Sequence, residues 1–329
     1  MNPLAILVSA VVTCAGVDDT AAIQAAVDAG HTTIVGSCAV NGTLGIRLPG
    51  ERTIDASAAV LTMLPGCVSK CKIAETVPGA RGVRWLGGEL IGWLTPAIGW
   101  QIGLRVDSGH DVQVIGATFR NFRTDGLHVG GNAQSTNVLI SGIVVDVAGR
   151  NGLSIVNAVG VTVERSVFRG ANFVSPGPGA GIDVEPNPGE SVDDFTLINS
   201  ELSGNLVGAY LHMGRGSVQG KNYKVISCRF LGNKTHGIIL NSILGATIAD
   251  NTIDTPGAVG VSVGSHTESA RAAHVKIIGN RITALRPLIL AGVRNSHVLD
   301  NSLGAGGRVE SPVLGFSGDM SFEQDGQAH

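Results

Sequence analysis

Residues 180–190 read AGIDVEPNPGE and set two carboxylates, Asp183 and Glu185, two positions apart in an apolar run. Only 15% of the chain is charged, so the pairing asks for an explanation. An extended strand alternates its faces, which sends Ile182 and Val184 one way and Asp183 and Glu185 the other. Two carboxylates on one face suit acid–base cleavage of a glycosidic bond: one protonates the leaving oxygen and the other activates water or attacks carbon. Alternate residues of a strand sit roughly 6.6–7 Å apart, the spacing of inverting hydrolysis rather than the retaining ~5 Å. Repulsion between the pair raises one pKa and makes that group the acid. The plain alternative is a half-exposed strand showing acids to water, and what stacks above and below decides between the two.

The positioning elements form a repeat. The segments DGLHV, NGLSI, AGIDV, VGAYL, HGIIL, VGVSV and RPLIL align with Gly126, Gly152, Gly181, Gly208, Gly237 and Gly260 in one column, followed by Pro287. IGLRV, at 102–106, extends the register upstream. A second strand precedes each, as in VQVIGATF, VTVERSVF, YKVISCRF and VKIIGNRI. Its closing apolar residue recurs at 119, 145, 168, 202, 230, 253, 282 and 303, with spacings between 21 and 34 residues. Short strands with a glycine column, two apolar columns and no helical period describe an all-β parallel β-helix forming one domain. Eight or so regular coils at ~4.8 Å each give a rod of roughly 40 Å, within about 8–10 coils in all. Asn251, Asn280 and Asn301 share one turn position and predict a stacked asparagine ladder.

This register stacks the outward residues. One column reads Arg105, His128, Ser154, Asp183, Tyr210 and Ile239, and the next reads Asp107, Gly130, Val156, Glu185, His212 and Asn241. Asp183 therefore neighbours Tyr210, and Glu185 neighbours His212. Asp183, Glu185 and His212 are the catalytic candidates. Tyr210, Asn241, His128 and Arg105 are the substrate-binding ones, joined by Arg215 from a neighbouring loop. Asp125 and His236 lie at turn positions that suit structural roles. Inserted loops converge on the same two coils: NFVSPGPG before the Asp183 strand, PNPGESVDD after it, and GRGSVQGK after the next. Long loops beside a rigid face are where binding grooves form. Arg215 and Lys221 in the last loop suit an anionic sugar.

The ends of such a stack must be covered. DDTAAIQAAVDAG, residues 18–30, reads as a short capping helix with Asp18, Asp19 or Thr20 at its N-cap and Ile23 and Val27 facing the core. Residues 1–30 thus form an N-terminal strand and cap, 31–303 the β-helix, and 304–329 an end cap or oligomerisation segment carrying Val313, Leu314, Phe316 and Phe322. The apolar N-terminus reads as a first strand, with a degenerate signal peptide as the alternative.

GVDDTAAIQAAVDAG followed by glycine-rich coils resembles the pectate-lyase-like right-handed β-helix superfamily of polysaccharide lyases, glycosidases, alginate C5-epimerases and phage tailspike depolymerases. The resemblance implies a right-handed helix, a polysaccharide partner, an extracellular or virion-associated location and, from the tailspikes, a homotrimer. GIDVEP is similar to the epimerase strand Gly-aromatic-Asp-Pro-His-Glu. Asp183 matches that Asp, the Pro-His pair is missing, and Glu185 stands where the His would be, so His212 or His128 would supply the imidazole. The expected activity is hydrolysis of a polysaccharide. Uronate elimination or C5-epimerisation, and glycan binding without catalysis through Trp93, Trp100 and Tyr210, are the alternatives.

A net charge of −3 offers no basic field for nucleic acid and no polybasic signal for membranes. No cofactor is expected, and calcium is the unsupported alternative, since a pectate-lyase-type calcium cluster needs more carboxylates than these columns supply. The five cysteines include no CxxC pair; Cys67 and Cys71 are either a disulfide or buried thiols.

Overall fold

The computed structural model describes residues 9–94, 99–171, 177–214, 216–265 and 271–304, together with the backbone of two later strands, Val309–Glu310 and Met320–Glu323. Arg215, Val313, Leu314 and Phe316 lie outside the described residues.

The chain winds into a parallel β-helix. Each regular coil contributes strands to three strips, and every strand pairs in parallel with its counterpart one coil away. The strip that carries the candidate residues stacks Gln101–Val106, Asp125–Val129, Asn151–Ile155, Ala180–Val184, Val207–His212 and His236–Asn241. The apolar columns fill the lumen: Leu127, Val129, Ile182, Val184, Leu211, Leu240 and Val263 are fully buried. Larger rings pack among them, including Phe119, Phe168 and Phe230, and Phe195 meets Tyr223 edge-on at 5.7 Å.

Close approach explains the glycine column. A Cβ on Gly152 would stand 2.5 Å from the carbonyl oxygen of Gly181, and one on Gly208 would stand 2.3 Å from that of Gly237. Any side chain at these positions would push adjacent coils apart and break the ladder of backbone hydrogen bonds.

The cap is a helix, Thr20–Ala29, with Ile23 and Val27 buried against the first coil. Asp19 occupies the N-cap but makes no side-chain capping bond. Its carboxylate instead accepts hydrogen bonds from the backbone amides of Ala15, Gly16 and Ala39, tying the cap to the first turn of the stack. Ser9–Thr13 pairs with the start of His31–Val40, so the described part of the apolar N-terminus is a strand. At the other end, Val309–Glu310 and Met320–Glu323 add in parallel to Leu288–Ile289 and Ser296–Leu299, continuing the winding. Disulfides join Cys14 to Cys38 and Cys67 to Cys71, while Cys228 is a buried thiol. No helix among the described residues is long and apolar enough to cross a membrane.

The asparagine ladder is present and has a second member set. The Asn280 Oδ1 accepts from both the backbone and the side-chain nitrogen of Asn251, and Asn301 Oδ1 does the same for Asn280. Asn205 and Asn233 repeat the motif in earlier coils. Replacing Asn280 by Ala leaves the buried Asn251 amides, the Ile248 carbonyl and the Asn301 carboxamide short of partners. Each orphaned group costs about 1–3 kcal/mol. Asn280→Ala is therefore expected to lower unfolding stability by about 2–5 kcal/mol in urea titrations; a change within ~0.5 kcal/mol would show that the ladder is decoration.

Candidate functional site

The stacking register brings the predicted columns together. Asp183 pairs with Ser154 on one side and Tyr210 on the other; Ser154 pairs with His128 and His128 with Arg105; His212 pairs with Asn241. Residues 23 to 29 positions apart in sequence become neighbours one coil spacing apart, as parallel pairing requires.

Asp183 departs from expectation in one respect. It points away from the lumen yet is only 2% exposed. A buried carboxylate must be compensated. Asn151 does this from the preceding coil: its Nδ2 donates to Asp183 Oδ2 at 2.8 Å, and its Oδ1 accepts from the Ala180 amide at 3.0 Å. The other oxygen, Oδ1, is buried without a hydrogen-bond partner among the described residues and faces His212 Nε2 at 3.6 Å.

Glu185 stands just past the strand with about half its side chain in solvent, its Oε1 3.8 Å from the same imidazole nitrogen. Partial burial and the charge of Asp183 push the Glu185 carboxyl above the usual carboxylate range, against the opposing pull of His212 and Arg150. His212 is buried and stacks on Tyr210, with ring centroids 4.0 Å apart and planes 16° from parallel. Burial, then the charges of Asp183 and Glu185, push the Tyr210 phenol upward, so it stays neutral and able to donate. One oxygen of each carboxylate and a ring nitrogen of His212 all lie within 4.8 Å of one another. This is the nearest approach of single atoms, reached because both carboxylates lie beside one imidazole.

A cavity of about 230 Å³ opens over this strip toward the N-terminal coils. Trp100, Arg105, His128, Arg150, Asp183 and Glu185 form its walls, and Ser154 and Val156 are among the residues beneath. Arg105 and His128, three coils and two coils from Asp183, are thus part of one groove with the carboxylates. His212 reaches the carboxylates from the opposite side, Tyr210 backs the imidazole, and Asn241 lies one coil further away.

Two residues that shape the groove, Arg150 and Asn151, escaped the sequence reading. Arg150 donates to both oxygens of Asp125, at 2.8 and 2.5 Å, and to Ser154 Oγ at 3.1 Å. Its guanidinium also lies 4.5 Å from the Trp100 ring centroid, a cation–π contact that fixes the exposed indole at the groove mouth. Burial alone would raise the Asp125 carboxyl, but Arg150 beside it, helped by His128, holds it down at about 2. For Arg150, burial opposes the charge and Asp125 outweighs it, so the guanidinium is held more firmly protonated than usual. Asp125 is structural in that it is fully buried, but it anchors the groove's arginine. The sequence signal was available: Asp125 and Asn151 hold the position just before the glycine column, where the coils of Asp183 and Tyr210 have Ala180 and Val207.

The groove's charges are largely spent internally. Arg105 lies 3.3 Å from Asp107 and 3.9 Å from Glu75, and Arg150 is held by Asp125. Lys221, expected to favour an anionic sugar, lies 3.9 Å from Asp193 instead. Asp183, Glu185 and Glu190 in the cavity wall have no ion pair with Arg or Lys among the described residues.

Known proteins share this architecture. By structure the chain is similar to the A-module of the mannuronan C-5 epimerase AlgE4 of Azotobacter vinelandii, at 17% identity over 95% of this chain and 97% of that one, with a TM-score of 0.69. It is also similar to the endo-xylogalacturonan hydrolase of Aspergillus tubingensis, at 14% identity over 95% and 99%, TM-score 0.66. The Dettilon tailspike protein matches at 13% identity over 92% of this chain and 68% of that one, TM-score 0.64. No curated protein matches by sequence. Residues 102–303 match the family described as "Right handed beta helix region", and the chain belongs to that family.

Proposed function

We propose that this protein hydrolyses glycosidic bonds in a polysaccharide, with Glu185 as the proton donor. The observation that carries the reading is the pairing of a half-exposed carboxyl held above its usual pKa with a buried carboxylate in one groove wall. Glu185 protonates the leaving glycosidic oxygen as its bond to the anomeric carbon breaks; water then adds to that carbon and gives a proton back to Glu185. Asp183, oriented by Asn151, supplies the fixed negative charge that stabilises an oxocarbenium-like state. His212, stacked on Tyr210, lies beside both carboxylates, its Nε2 3.6 Å from Asp183 Oδ1 and 3.8 Å from Glu185 Oε1. Trp100 offers its face to a sugar ring, and Arg105 and His128 offer donors to hydroxyls further along the groove.

The similar structures include an epimerase, a hydrolase and a tailspike, which supports a carbohydrate substrate and leaves the reaction to this chain's own groups. Elimination or epimerisation of a uronate needs its carboxylate neutralised. Here the groove arginines are already neutralised by Asp125, Asp107 and Glu75, and Asp183 and Glu190 in the wall would repel a polyanion. A neutral or weakly charged glycan fits better. Two disulfides support an extracellular or virion-associated setting, since such bonds persist under oxidising conditions.

The Glu185 assignment has a direct titration test. Its carboxyl is raised by burial and by Asp183, so Asp183→Asn should move the Glu185 pKa downward, followed by carboxyl-carbon NMR of labelled protein. An unchanged or higher value would remove Asp183 as a cause. Asn at 183 still offers an acceptor to Asn151, so the strand should keep its place.

Turnover gives the second test. Glu185→Gln and Asp183→Asn should each lower the rate of reducing-end release by at least ~10²-fold, the scale of losing a positioned proton-transfer or charge-stabilising group. His212→Ala should lower it less under hydrolysis and comparably under elimination, where an imidazole base would be required. Wild-type rates in both carboxylate variants would reduce Asp183 and Glu185 to structural acids.

A further inference from the structure

The three groups around His212 are spaced for something other than mutual hydrogen bonding. The Nε2–Oδ1 distance to Asp183 is 3.6 Å and the Nε2–Oε1 distance to Glu185 is 3.8 Å, both beyond a hydrogen bond. Ligands at 2.0–2.2 Å from a tetrahedral zinc ion are separated by about 3.3–3.6 Å. The two separations from Nε2 sit at or just above that edge length, and the two carboxylate oxygens lie within 4.8 Å of each other. Asp183 Oδ1 is a buried acceptor with no hydrogen-bond partner among the described residues, aimed into the space between the three groups.

We propose that Asp183 Oδ1, Glu185 Oε1 and His212 Nε2 form a binding site for one divalent transition-metal ion of the zinc type, and that the ion inhibits catalysis by occupying both carboxylates. The inhibitory part rests on the hydrolase reading; the binding part does not. Two carboxylates balance the charge of a divalent ion, and an imidazole nitrogen with two oxygens is a borderline donor set that suits zinc. Calcium wants six to eight oxygens, which this corner lacks. The stack on Tyr210 fixes the imidazole plane, and Asn151 fixes the Asp183 carboxylate through its other oxygen. Outer partners of this kind orient ligands before the ion arrives. The carboxylate oxygens lie within 4.8 Å of each other, and rotation of the Glu185 side chain, half in solvent, closes the remaining ~1 Å to that edge length. The fourth position faces the groove.

The test is calorimetric titration of zinc chloride, with calcium chloride in parallel, into full-length protein free of affinity-tag histidines. Wild type should bind one zinc per chain. His212→Ala and Asp183→Asn should weaken binding by at least ~100-fold, beyond the 10–100-fold typical of losing an outer partner. Glu185→Gln removes a half-exposed ligand and keeps the fold, so it decides the matter if either buried-site variant fails to fold; it should weaken binding at least ~10-fold. Absence of zinc binding, zinc binding unaltered in the Glu185 and His212 variants, or tighter binding of calcium than of zinc would overturn the proposal. Protein that cleaves glycans but binds no zinc refutes this site alone. Protein that binds zinc through these residues but cleaves nothing refutes only the hydrolase reading.

Discussion

Parallel, in-register pairing between coils is the constraint on which everything else depends. Backbone amides and carbonyls of one coil bond to the next at a spacing of ~4.8 Å, so every side chain acquires fixed neighbours above and below. A one-residue slip would carry Ile182 and Val184 out of the lumen and drive Asp183 into it. The glycine column permits the pairing by allowing Gly152 and Gly181, and Gly208 and Gly237, to approach within reach of each other's carbonyls. The asparagine ladders bond the turns that the strands leave unpaired. A site assembled on such a face is rigid because moving any member means moving a coil.

That rigidity allows charge to be buried. Asp125 and Asp183 lie on the groove strip at almost no exposure, and each is stabilised from an adjacent coil, by Arg150 and Asn151 respectively. Arg150 then holds Trp100 at the groove mouth, so a single ion pair links the floor of the cavity to its rim. Glu185 is the exception in this set. It sits at the border of solvent, close enough to Asp183 to feel its charge and free enough to reach a ligand.

Much of this was readable from spacing. The repeat predicted the parallel helix, the lumen residues and the stacking partners of Asp183 and His212, because a period-two pattern combined with a glycine column specifies both facing and register. What escaped the reading lies across coils rather than along columns. Asp183 is buried with its carboxylate bonded to Asn151 of the preceding coil, a contact that no single column describes. Arg150 projects from a turn toward Asp125, 25 residues earlier, and pairs that charge internally where a sequence reading would leave it free for substrate. The Asn205–Asn233 ladder was missed because it lies in the turn that leads into Val207–His212 and His236–Asn241, a different turn from the one shared by Asn251, Asn280 and Asn301. Cys14 and Cys38 face each other across the first two strands of the stack, a pairing set by cap geometry rather than by cysteine spacing.

The central claim is that the Asp183–Glu185 wall cleaves a glycosidic bond with water. Proton NMR of the products from a panel of neutral and uronate-containing polysaccharides tests it most directly, since one spectrum distinguishes the chemistries. The account predicts new reducing-end anomeric signals from a neutral glycan and no vinyl proton of an unsaturated uronate. A vinyl signal would assign the groove to elimination, and spectra unchanged across the whole panel would contradict catalysis by these carboxylates.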